Sequence, residues 1–130
     1  MIVRDLVPSE LPSVHQLLCA NGWAHRVGSI SDFELLIAAS QRTAVATSAS
    51  GEIIGFARGI TDGISNGYLS MVVVAAAHRR QGVGQALVRH VMGANTNSTW
   101  VLRAGREGAD AFFSSLGFSV SAVAMERSRG

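Results

Sequence analysis

One stretch limits what this chain can become, because its periodicity changes halfway. Residues 68–75 read YLSMVVVA, an apolar run with three consecutive valines that fits a buried strand. From Gly82 onward Val83, Ala86, Leu87 and Val91 recur at helical spacing. A strand therefore runs into a helix, and His78, Arg79, Arg80, Gln81, Gly82, Val83 and Gly84 lie in or beside the junction. The first turn of a helix carries unpaired N–H groups and partial positive charge, and glycine lets an anion approach that backbone closely. Two arginines followed by two glycines at such a junction make a phosphate cradle.

The type of cradle is narrowed by what it lacks. A dinucleotide fingerprint requires a third glycine three residues after the second and an acid about twenty positions on. The third position here is Leu87, and the surroundings of Leu102 and Arg103 hold no acid. A P-loop requires Gly-Lys-Ser/Thr, whereas all 11 basic residues of this chain are arginine. What remains is R-x-x-G-x-G, carried by Arg79, Gly82 and Gly84 and preceded by V-x-V at Val72 and Val74.

The rest of the chain reads as follows. Residues 2–7 form a short strand. Ser9 caps a helix whose stripe is Leu11, Val14, Leu17 and Leu18 and which Asn21-Gly22 ends. His15 and Cys19, one turn apart, read as packing rather than a thiol–imidazole pair. After a polar link over 22–30, Ser31 and Glu34 form a capping box for a second helix to about Ser40, with Phe33, Leu36 and Ile37 on its apolar face. Residues 43–47 and 52–61 flank the turn cluster SASG as an antiparallel hairpin, and Gly55 and Gly59 in its second arm mark bulges or close backbone approach. After the central strand and helix come a strand at 99–103, parallel to residues 68–75 through a right-handed crossover, a helix at 106–116 capped by Gly117, and a final strand at 118–127. No repeat or second domain is evident, so residues 1–130 read as one domain.

Composition sets outer bounds. With 48% apolar and 15% charged residues, a sizeable core is expected, and a surface so poor in charge is compatible with a homodimer. One cysteine excludes an intrachain disulfide and a paired-thiolate metal site, so no metal is expected. Net charge is +2 without a run of arginines and interleaved aromatics, so nucleic acid is not an expected partner. No apolar run approaches the roughly 20 residues of a membrane span, and no secretory signal is apparent. A cytoplasmic setting is the expectation, and Asn97-Ser98-Thr99 then reads as a polar loop rather than a glycosylation site.

The strand–cradle–helix unit, the hairpin before it and FFSSLGF at residues 112–118 together resemble the GNAT superfamily of N-acetyltransferases, specifically its small bacterial members. The resemblance covers most of residues 52–118, while residues 1–50 agree only in pattern. It implies an α+β fold, a mixed and mostly antiparallel sheet of roughly six or seven strands with about four helices and a splayed central parallel pair. It implies acetyl-CoA as co-substrate, bound by Val72, Val73 and Val74 on the strand, by Arg79, Arg80, Gln81, Gly82, Val83, Gly84 and Gln85 at the cradle, and by Phe113. The backbone N–H of Val72 would meet the acetyl carbonyl. Trp23, His25, Arg26 and Phe33 would contact the acceptor, a primary amine of a small molecule. Two departures stand out. The position from which many relatives protonate the leaving thiolate with a tyrosine is Phe113, and the acid often found just before the valines is replaced by Met71. Asp62 is then the candidate base or amine anchor, with Glu34 the other acid near the cleft. Two further readings stay open: a catalytically silent CoA-binding sensor module, and a transferase acting on protein or peptide amines.

Overall fold

The computed structural model describes all 130 residues. Its strands are β1 (Ile2–Arg4), β2 (Arg42–Thr47), β3 (Ile53–Thr61), β4 (Asn66–Val74) and β5 (Thr99–Val101), and they form one sheet in the order β1-β2-β3-β4-β5. Neighbours run antiparallel except β4 and β5, which are parallel. Helices α1 (Leu11–Leu18), α2 (Ala24–Val27) and α3 (Ile30–Ala38) cover one face, while α4 (Val83–Met92) covers the other. Helix α5 (Ala109–Ser115) packs beside α4 through Phe112. The fold class is the expected mixed α+β one, with fewer strands.

Strand alternation divides the core between the two faces. Ala44, Ala46, Ala57 and Leu69 join Leu87, Val88 and Val91 of α4, whereas Val45, Phe56, Met71 and Val73 join Val14, Leu18, Val27 and Phe33. The α4 side of the sheet is built small so that the helix can sit close. A Cβ on Gly55 would stand 2.8 Å from Leu87, and one on Gly59 would stand 2.6 Å from Val91. Close backbone approach holds at both glycines and is the reason α4 lies so near the sheet, and at Gly55 the register also slips, Ala46 pairing with Gly55 but Thr47 with Ile53.

Several local expectations are corrected. The capping box of α3 is Ser29 with Asp32, not Ser31 with Glu34: Asp32 N–H donates to Ser29 Oγ (3.1 Å) and Ser29 N–H to Asp32 Oδ2 (3.2 Å). Ser9 does not cap α1. The chain enters through a 3₁₀ turn at Pro8–Glu10, where Glu10 accepts from Val7 N–H (3.0 Å) and forms a two-pronged pair with Arg4 at 2.9 and 2.6 Å. The polar link after α1 is a wide turn, Cys19–Trp23, leading into the single-turn α2. Residues 118–127 form no strand. Val120, Val123 and Met125 are almost wholly exposed, so the apolar pattern there finds no neighbour to pair with. The sheet accordingly has five strands.

Candidate active site

Strand β4 builds the site by leaving its neighbours at two places. It pairs with β5 only from Asn66 to Tyr68, so the edge that should carry a parallel ladder is open from Leu69 onward. On its other side the register with β3 slips between Phe56 and Arg58, and Met71 takes a left-handed φ of +55°. Such a bulge admits an extra residue and re-aims the side chains that follow. Leu69 faces α4, but Met71 and Val73 face α1 and α3, and Val72 and Val74 take over the α4 side. Ala75 N–H donates across to Ile54 O on β3 (2.8 Å). By strand alternation the N–H groups of Val72 and Val74 then point the other way, into the opening.

The opening is a cleft of about 1230 Å³ between β4, the start of α4, the loop after β5, α5 and the turn after α1. At one end stands the cradle. Arg80 has φ +63° and Gly82, the residue capping α4, has φ +81°. The backbone N–H groups of Arg80 through Gln85 donate to no group of the chain. A run of unpaired donors at a helix start is the arrangement that favours a phosphate anion. A Cβ on Gly82 would meet no atom within 4 Å, so its glycine is demanded by backbone angle alone. Gly84 is different. A Cβ there would lie 2.9 Å from the Phe112 ring, so this glycine is the seat on which α5 rests.

The other residues that sequence singled out fall into three groups. Val72, Val73, Val74, Arg79, Arg80, Val83, Gln85 and Phe113 line the cleft, as do Trp23, His25 and Arg26. Arg79 has structural work as well: its Nε–H donates to Val74 O (3.1 Å) and its Nη2 to Asn21 Oδ1 (2.9 Å), tying the cradle to the turn after α1. Phe113 sits in an aromatic cluster, 4.9 Å from Phe112 and 5.7 Å from Phe118 between ring centres. The side chain of Gln81 does not line the cleft and instead borders a shallow hollow beside Ser48 and Glu52.

Two assignments fail. Phe33 is fully buried, 6.2 Å from Phe56 between ring centres, so it closes the core and is not an acceptor contact. Asp62 does not line the cleft. Its carboxylate organises the β3–β4 turn, accepting from the N–H groups of Ile64 and Ser65 (2.8 Å each) and Asn66 (3.1 Å) and from the Ser65 hydroxyl (2.6 Å). Those bonds, the Ser65 hydroxyl first, hold its pKa far below the usual carboxylate range, the wrong direction for a base. Glu34, exposed on α3, does not line the cleft either, and the carboxylate that does is Glu107.

Sequence reading missed Arg58, Tyr68 and Arg106. Arg106 donates to Asn21 O and Gly22 O (3.0 Å each) and stacks 4.0 Å over the Trp23 ring, which fixes one wall of the cleft. No sequence signal marks that contact, since its partners lie more than eighty positions away. Arg58 had a signal: it is the one charged residue inside the apolar run IIGFARGIT, at a position whose alternation predicts burial.

An open edge on β4, a bulge beside it and a donor-rich helix start at one end of the resulting cleft make a site shaped for an extended ligand that carries a phosphate at one end. Residues 38–120 match the family model described as the Acetyltransferase (GNAT) domain, and the chain belongs to that family of acetyltransferases. No curated protein matches it in sequence. Solved structures share its fold. A GNAT family acetyltransferase from Streptococcus pneumoniae superposes with a TM-score of 0.73 at 21% identity, covering 98% of this chain and 97% of that one. Glucosamine-6-phosphate N-acetyltransferase from Arabidopsis thaliana gives 0.71 at 17% identity, covering 98% and 97%. An aminoglycoside 6′-N-acetyltransferase complexed with coenzyme A gives 0.56 at 22% identity, over 68% of this chain and 52% of that one. No helix of the chain is long and apolar enough to cross a membrane.

Proposed function

We propose that the protein moves the acetyl group of acetyl-CoA directly to a primary amine of a small molecule, in the cytoplasm. The observation that carries this reading is the run of unpaired N–H groups from Arg80 to Gln85, which opens onto the same cleft as the unpaired edge of β4. The neighbours named for an aminoglycoside and for glucosamine-6-phosphate, one of them holding coenzyme A, support amines as acceptors and CoA as carrier. Acetyl-CoA supplies an activated carbonyl carbon, to which the amine nitrogen adds its lone pair as the carbon–sulfur bond breaks. Within the chain, the cradle holds the pyrophosphate, and Val72 N–H donates to the carbonyl oxygen as it gains charge. Val74 N–H offers a strand-like bond to the pantetheine arm. Its carbonyl already accepts from Arg79, so the cofactor strand pairs there mainly through a donor of the protein.

Neither proton has an evident side-chain carrier. Phe113 has no proton to give, and the thiolate of CoA, with a thiol pKa of about 8.5, departs with a proton taken from water. The amine proton leaves to solvent. The rate should therefore climb with pH as the acceptor amine itself deprotonates.

Calorimetric titration of acetyl-CoA together with thiol release across an amine panel tests the reading. Saturable binding, amine-dependent thiol release and loss of affinity by at least tenfold in Gly82→Val, about 1.4 kcal/mol, are expected. The missing hydroxyl at Phe113 favours one competitor, a silent CoA-binding module. Tight binding with no thiol release toward any amine would select it, and absence of binding by a folded protein would reject both.

A further inference from the structure

Arg58 is the group that the catalytic reading leaves unused. Its residue is 7% exposed, on the α3 side of a strand whose other positions are apolar or small. Its Nε–H donates to Ser40 Oγ (2.9 Å), and that hydroxyl donates in turn to Leu36 O (2.8 Å), so the guanidinium is held in one orientation. Neither terminal nitrogen has a partner in the chain, and no carboxylate lies within ion-pair distance. Burial pushes its pKa down, as expected of a cation without a counter-ion. The terminal nitrogens are not closed off from solvent and open onto the cleft, so the charge is presented to whatever enters it. Arginine presents a fixed fork of donors suited to two oxygens of one anion.

Its neighbourhood says where that anion would sit. Arg58 is the cross-strand partner of Ser70, and Tyr68 lies on the same face of β4 one alternation away. All three line the cleft, at the end away from the cradle. Tyr68 is the sole tyrosine of the chain, and its hydroxyl makes no hydrogen bond within it. Ser70 precedes Val72 by two residues, at most about 7 Å along a strand. Farther out, Arg26 and Arg103 face the same cleft, Arg103 already paired with Glu126 (2.8 Å), and Glu107 is the carboxylate that lines it.

We infer that the acceptor is a small primary amine that also carries an anion, carboxylate or phosphate, and that Arg58, with Tyr68 and Ser70 beside it, grips that anion while the amine reaches Val72. The inference rests on the transferase reading and narrows its substrate. A polyamine or an unsubstituted aminoglycoside has the wrong charge for this end of the cleft. Ser40 is a positioning residue, acting through the guanidinium it holds.

The test uses matched acceptors: glycine against glycinamide, and phosphoethanolamine against ethanolamine, with spermidine as the polycation. Thiol release is measured for the wild type, Arg58→Gln and Ser40→Ala, and heats of binding of glycine and phosphoethanolamine are measured on the CoA-saturated protein. With no lysine in the chain, no side-chain amine of the enzyme competes as acceptor. The wild type should favour the anionic member of at least one pair by tenfold or more in kcat/KM. The pair that does so separates a carboxylate from a phosphate acceptor. Arg58→Gln should bring the ratio to about one with acetyl-CoA affinity unchanged, and Ser40→Ala should lower it partly, which keeps the test valid if Arg58→Gln does not fold. Thiol release that prefers ethanolamine, glycinamide or spermidine, or a ratio untouched in both variants, overturns the anion assignment and leaves the transferase standing. Acetyl-CoA binding without thiol release and without heat from either anionic amine overturns both the anion assignment and the catalytic reading.

Discussion

Asp62 shows how a residue type that invites a catalytic role can be consumed by structure. Because its carboxylate is preferred ionised by the turn it caps, its folded pKa lies below the unfolded value of about 3.9. Its stabilising effect is thus fully present above that value and is lost as pH falls through the lower folded one. Asp62→Asn should lower Tm by a constant amount between pH 8 and 5, the gap should close in more acidic solution, and thiol release by the folded variant should match wild type. A pH-dependent loss of turnover near neutrality in this variant would restore Asp62 as a base. Phe113 poses the converse case. It lines the cleft and packs edge-on with Phe112 and Phe118, so a hydroxyl added at its ring edge has a route to the cleft. Phe113→Tyr should raise the thiol-release rate toward the 10²–10⁴-fold worth of a general acid, with little change in Tm. A lower Tm without a faster rate, the signature of a buried hydroxyl costing about 1–3 kcal/mol, would place the ring edge in the aromatic cluster instead.

Among the elements, the junction of β4 with α4 organises the site, and one glycine links it to α5. Gly84→Ala sets a methyl 2.9 Å from the Phe112 ring, and overpacking of that kind costs about 1–3 kcal/mol. Phe112→Leu removes the atoms it would strike, so the pair should be less destabilising than the sum of the single changes by about 0.5 kcal/mol or more in urea unfolding. Additive losses would mean that α5 does not rest on Gly84. The strand, the cradle and the hairpin were legible in sequence because each rests on local chemistry: a run of valines, left-handed glycine at a helix start, a turn cluster between two branched runs. The cap of α3 was misplaced by two residues because Ser29 and Ser31 offer the same hydroxyl, and the acid that answers, Asp32, is chosen by where the chain enters the helix. Residues 118–127 carry strand-forming residues, but a strand needs a partner, and sequence does not state whether one is present. The bulge at Met71 and the reach of Arg58 depend on register across strands, which no single segment encodes.

At the scale of the whole molecule, stability is concentrated between the sheet and its two helical layers, and the last dozen residues contribute little to it. Their hydrogen bonds are local, and the Arg103–Glu126 pair is half exposed, a setting worth about 0–1 kcal/mol. Truncation after Phe118 should therefore move Tm by less than about 5 °C. A larger drop would show that this segment is held against the rest of the fold. The two tryptophans divide the molecule in another way. Trp100 lies against Gly59 and Gly67 with its indole nitrogen buried, whereas Trp23 stands at the rim of the cleft beneath the Arg106 guanidinium. The chain thus carries two built-in fluorophores with separate duties. In Trp100→Phe, emission comes from the rim alone and follows ligands into the cleft, while in Trp23→Phe it follows only the unfolding of the sheet.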